Sequence, residues 1–102
     1  MRLILTGKLI DAEEAADIGL VDEVYGDDDF DDRVYDLAAA IAEKSPVALE
    51  FAKKSVKAAS RMDLETGIEY EAELFAQLFA TGDKNEGIDA FFEDRDPEWP
   101  SG

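Results

Sequence analysis

Leu3-Ile4-Leu5-Thr6-Gly7-Lys8-Leu9-Ile10-Asp11-Ala12-Glu13-Glu14-Ala15-Ala16-Asp17-Ile18-Gly19-Leu20-Val21-Asp22-Glu23-Val24 is the stretch on which the fold turns. Asp11, with Glu14 three positions on, has the form of a helix start: the first side chain accepts from a free amide and the second reaches back. The helix runs to about Ile18, and Gly19 stands where a left-handed C-terminal cap is needed. Leu20 to Tyr25 then forms a short apolar connector that can be extended. Gly26 and the acidic run Asp27-Asp28-Asp29 break the pattern.

Working outward, helical periodicity recurs. Phe30, Val34, Leu37 and Ile41 step by three or four residues, which predicts a buried stripe on a second helix ending near Lys44. Ser45 before Pro46 offers an N-cap with proline at the first helical position, and Leu49, Ala52, Val56 and Ala59 carry a third stripe that stops around Arg61. Asp63 caps a longer helix whose apolar face, from Leu64 and Ile68 to Leu78 and Phe79, is too wide for a single neighbour. That helix is expected at the centre of the packing. Gly82 ends it. Asp83 with Glu86 repeats the capping form ahead of a last short helix with Ile88, Phe91 and Phe92 on its inner face, and Glu98 to Gly102 form a loose tail. The fold class expected is all-α, about five helices in a small bundle, as one helical domain over residues 1–102.

Composition narrows the chemistry. The net charge of −16, from 26 acidic against 10 basic residues, repels nucleic acid and anionic membrane, so neither is expected as a partner. Such self-repulsion is relieved by dissolved ions, which points to a halophilic, salt-rich cytoplasm. There are no cysteines and no histidines, which removes disulfides, thiol nucleophiles, imidazole bases and the usual zinc ligands. The apolar runs are far shorter than the roughly 18 residues of a membrane helix, so a soluble cytoplasmic chain is expected.

Each cluster with chemical possibilities also has a plainer reading. Glu71 and Glu73, if forced among Leu74, Phe75 and Leu78, would serve proton transfer, but solvated positions are expected for both. Asp27, Asp28, Asp29, Asp31 and Asp32 suit a hard cation, yet no glycine occupies the sixth position from Asp27 and the twelfth is Ala38. A metal site is therefore not expected, and acids at a helix N-terminus suit its dipole. Lys53, Lys54, Lys57 and Arg61 make a basic stripe that could meet a phosphate, although ordinary pairing with Glu50 or an acidic partner is preferred. Gly26, Gly82 and Gly87 do not form a phosphate-cradling loop, no nucleophile elbow surrounds Ser45, Ser55 or Ser60, and Trp99 can anchor on a neighbour or pack locally.

The opening stretch resembles a passage of the enoyl-CoA hydratase/isomerase (crotonase) family. The resemblance continues through Lys44-Ser45-Pro46, Glu73-Leu74-Phe75, Phe79-Ala80-Thr81, Asp83, Glu86-Gly87-Ile88 and Ala90-Phe91 to Arg95-Asp96-Pro97. It implies the C-terminal helical segment of such an enzyme, which in the family lies against a spiral core of β-β-α units and against sister subunits. A homo-oligomer or a crotonase core is therefore the implied partner. The family hydrates or isomerises acyl-CoA thioesters using two backbone amides and proton-moving carboxylates. The resemblance implies that the segments carrying those groups come before this one, so no catalytic residue is transferred and the isolated chain is expected to be inactive and without a cofactor of its own. One binding residue is implied: Phe91 matches the aromatic placed near the adenine and phosphates of CoA. The family's lysine three positions later is Asp94 here, and its charge is inverted. The competing reading is a free-standing helical module that self-associates or binds another protein.

Overall fold

Residues 1–102 are described by a computed structural model, whose regular elements are all helices, with no strand. Six helices follow in order: α1 (Arg2–Thr6), α2 (Ala12–Asp17), α3 (Phe30–Ala42), α4 (Pro46–Ala58), α5 (Leu64–Leu78) and α6 (Gly82–Phe92). Contacts group them into two compact units, residues 1–37 and 38–102, where the sequence reading expects one domain. No helix is long and apolar enough to cross a membrane.

In the first unit, α1 is the helix beyond the five expected. Five residues are too few for a periodic stripe, and the helix closes on Gly7 in the left-handed region (φ 63°), whose amide donates to the Leu3 carbonyl. Asp11 caps α2 by accepting from the Glu14 amide at 2.8 Å, but Glu14 does not complete the reciprocal bond. Its carboxylate lies 3.6 Å from Lys8 instead. Gly19 (φ 76°) ends α2 as expected, with the Leu20 amide donating to the Ala15 carbonyl at 2.8 Å.

In the second unit, Ser45 caps α4 through the Ala48 amide, with Pro46 at the first position, and Asp63 caps α5 through the Thr66 amide at 2.8 Å. α4 and α5 are the helix pair that packs face to face, so the long helix has one extended neighbour where its wide apolar face predicts more, and Leu64, Ile68, Phe75 and Phe79 of that face stay exposed. Leu74 of α5 is 7% exposed and shares a crevice with Phe51 and Ala52 of α4. α5 ends at Leu78, four residues short of the expected stop at Gly82.

The apolar stripes form as read, but most are not buried. Only Ala15, Ala58, Leu74 and Ala90 are buried apolar side chains, and the α3 residues Phe30, Val34, Leu37 and Ile41, expected in a core, all remain exposed. Helical spacing fixes which side chains share a face; it cannot supply the surface that covers them.

α6 departs furthest from the expectation. Thr81, not Asp83, occupies the N-cap and makes no side-chain cap bond, because its hydroxyl donates to the Leu78 carbonyl at 2.6 Å. Asp83 lies inside the first turn. At the other end the helix stops at Phe92, and Asp94 adopts the left-handed region (φ 53°), with the Arg95 amide reaching back to the Ala90 carbonyl at 3.1 Å. That is the Schellman arrangement, with an aspartate where glycine is usual. Asp94→Gly is accordingly expected to stabilise the chain by about 0.5 kcal/mol through relief of backbone strain, measured as a higher midpoint in urea; a lower midpoint would contradict the strained geometry.

Candidate functional site

An open cleft of about 510 Å³ lies in the second unit, lined by Phe75 of α5 and Phe79 just past its end, and by Ile88 and Phe91 of α6. Lys84, Ile88 and Phe91 are spaced four and three apart, so they line the cleft from one face of α6. The aromatic rings are organised but uncovered. Phe75 meets Phe79 edge-on at 5.2 Å between centroids, Phe91 meets Phe92 in the same way at 5.6 Å, and Phe91 and Phe92 are 81% and 80% exposed. The Lys84 ammonium lies 5.4 Å from the Phe79 ring centroid, the one cation over the cleft's aromatic surface.

Beneath this apolar surface sits a polar cluster. Asp83 is 4% exposed and accepts from the Ser45 hydroxyl at 2.5 Å, the Ser101 hydroxyl at 2.5 Å and the Ser101 amide at 3.0 Å. Burial pushes its carboxyl pKa up, but the bonds from Ser101 and Ser45 outweigh it and hold the pKa below the ordinary 3.8. The tail expected to be loose is thus tied down at Ser101. It is also tied at Trp99, whose indole donates to the Glu43 carbonyl at 2.8 Å, and at Glu98, whose amide donates to Glu86 at 2.9 Å. The tail's attachments are polar and distant in sequence, so a count of apolar residues does not reveal them.

Glu86 and Arg95 form a second polar centre. The guanidinium meets Glu86 at 2.5 Å and Glu93 at 2.6 Å; it depresses the Glu86 pKa, helped by the Glu98 amide, and its own is raised. Arg95 is therefore committed to carboxylates and is not free for a phosphate. Asp94 lies past the end of α6, so the helical spacing that relates the position to Phe91 does not apply at this turn.

The remaining sequence candidates are placed plainly. Glu71 and Glu73 are both exposed on α5. Asp27 to Asp32 are exposed, with Asp31 and Asp32 in the first turn of α3. On α4, Lys54 pairs with Glu50 at 2.6 Å, whereas Lys53 and Lys57 of the same helix and Arg61 just beyond it are exposed and make no ion pair.

Acid dependence follows from the depressed carboxylates. The Thr66 amide, then the Thr66 hydroxyl, lowers the pKa of Asp63 as the bonds above lower Asp83 and Glu86. A lowered folded-state pKa contributes stability that is full above the unfolded values of 3.8 and 4.5 and is lost as pH falls through the folded ones. Protonation of unbonded acids meanwhile relieves repulsion. The stability these three carboxylates contribute is therefore lost as pH falls below the ordinary carboxylate range, and Asp83→Asn should flatten the acid limb in a fluorescence titration. An unaltered limb would mean Asp83 is not among the groups that set it.

A family model described as enoyl-CoA hydratase/isomerase matches residues 1–102. The chain is 36% identical to the 2,3-dehydroadipyl-CoA hydratase of Escherichia coli over 96% of its length and 38% of that protein. It is 39% identical to the short-chain-enoyl-CoA hydratase of Clostridioides difficile over 87% of its length and 57% of the relative. In structure it superposes on the enoyl-CoA hydratase of Bacillus anthracis with a TM-score of 0.93 and 33% identity, covering 99% of this chain and 39% of that one. The chain thus spans between about two fifths and three fifths of the length of these proteins.

Proposed function

We propose, from the premise that this chain belongs to the enoyl-CoA hydratase/isomerase family, that it acts as the C-terminal helical part of such an enzyme. In that role it covers the acyl-CoA pocket and mediates oligomerisation, and it supplies walls rather than proton-moving groups. The observation that carries this reading is the uncovered aromatic cleft: Phe75, Phe79, Phe91 and Phe92 are arranged in edge-on pairs yet more than half exposed. Apolar surface on this scale marks a site of contact.

Phe91 is the residue we assign to the CoA thioester. Its exposed ring at the cleft edge can stack on an adenine, and the family's nearby cation is replaced here by Asp94, which opposes a phosphate. The chemistry belongs to the whole assembly: preorganised donors must meet charge on the thioester oxygen, and a carboxylate must stand within hydrogen-bond reach of the reacting carbon.

The test is complementation. A family member's N-terminal core, deprived of its matching helical segment, should be inactive on an enoyl-CoA thioester alone. It should gain hydration when this chain is added, and the chain should gain thermal stability in the mixture. No gain of either kind sinks the reading. The second reading, a self-associating module, is favoured by one observation: every buried side-chain polar atom has a hydrogen-bond partner within the chain. It predicts a folded oligomer in sedimentation at high salt without any core.

A further inference from the structure

We propose that residues 98–102 form a strap, latched by Asp83, which positions α6 and with it the Phe91 wall of the cleft. α6 shares no extended face with α4 or α5, and its buried side chains are only Ala90 and Asp83. Apolar burial by one alanine holds a helix weakly. The strap supplies what helix packing does not.

Its attachments run from α6 to the turn between α3 and α4. On α6, Glu86 holds the Glu98 amide and Asp83 holds both the amide and the hydroxyl of Ser101. At the turn and the start of α4, the Trp99 indole donates to the Glu43 carbonyl, the Val47 amide donates to the Ser101 hydroxyl at 3.3 Å, and the Ser45 hydroxyl donates to the same Asp83 oxygen that the Ser101 hydroxyl reaches. Asp83 is thus where α6, the start of α4 and the strap meet. An ionised carboxylate receiving several donors makes stronger bonds than a neutral amide would.

The backbone of α6 makes room for this arrangement. A Cβ at Gly87 would stand 3.3 Å from the Trp99 ring, and one at Gly82 would stand 3.3 Å from Pro100. Two turns of α6 therefore admit the strap at close range because their residues lack side chains. Trp99 lines the cleft, so the strap also forms part of the wall it positions. Asp83 is a positioning residue in this scheme, whatever ligand or partner fills the cleft.

The chain suits a direct test, because Trp99 is its single tryptophan and it has no cysteine. Spin labels on Gln77→Cys of α5 and Asp89→Cys of α6, both exposed positions, report the distance between the helices. In the parent a narrow distribution is expected, with Trp99 protected from a soluble quencher. Asp83→Asn and Ser101→Ala should each raise quenching several-fold and broaden the distribution, while helicity from α4 and α5 persists. Ser101→Ala leaves the Ser45–Asp83 bond in place and carries the test if Asp83→Asn fails to fold. Three results overturn the proposal: Trp99 still protected in Ser101→Ala, Trp99 released while the α5–α6 distance stays narrow, or loss of α4 and α5 helicity in Ser101→Ala.

Discussion

Leu74→Ala is expected to lower the stability of the 38–102 unit by about 2–4 kcal/mol, the range for removing a buried leucine and leaving a partly collapsed cavity. For a unit of this size that corresponds to a fall of roughly 15 °C in thermal midpoint. The size of the effect follows from how little else is buried. Leu74, at 7% exposure, is the only buried apolar side chain larger than alanine, and it lies at the one extended helix interface, between α4 and α5. Small domains have slender stability to lose, so Leu74→Ala should show a large unfolded fraction at ordinary temperature. Phe91→Ser and Phe92→Ser, which alter larger side chains, should change the midpoint of the isolated chain by no more than about 0.5 kcal/mol in stability, because both rings already face solvent. The same two substitutions should impair complementation of a core. A midpoint for Leu74→Ala equal to that of Phe91→Ser would show that the α4–α5 interface is not what holds the unit.

The midpoint of the parent chain should rise by about 10 °C or more between 0.01 M and 1 M potassium chloride, as the screening length shrinks from about 30 Å to about 3 Å. Twenty-six acidic residues repel one another across a chain of 102, and few of them are paired: ion pairs engage only Glu14, Glu50, Glu86 and Glu93. Salt also weakens those pairs, but exposed pairs contribute little, so relief of repulsion dominates. A midpoint that falls as chloride is added would reverse this ranking of effects and remove the physical basis for a salt-rich setting.

The helices were largely legible because their signals are local. Asp11, Ser45 and Asp63 sit at N-caps and accept from amides three residues on, and Gly19 closes α2. The same reasoning failed at Asp83, where the capping pattern is present but the carboxylate is drawn to Ser45 and Ser101, 38 and 18 residues away. It failed again at the tail. Glu98 to Gly102 contain nothing that marks them as ordered until Glu43, Asp83 and Glu86 are brought alongside. The sequence reading named Phe91, which lines the cleft, and Asp94, which does not, but could not show that Arg95 is held by two glutamates or that Asp94 lies beyond the helix.

By itself, then, the sequence determined five of the six helices and their apolar faces, because caps and periodicity depend on residues within a few positions of one another, and it determined the family through the order of short motifs along the chain. The tertiary structure alone decided which of those faces are covered and what fixes α6. Burial and buried hydrogen bonds arise between segments far apart in the chain, and the partners of Asp83 are selected by proximity in space, where ionised carboxylates must find donors when water is excluded.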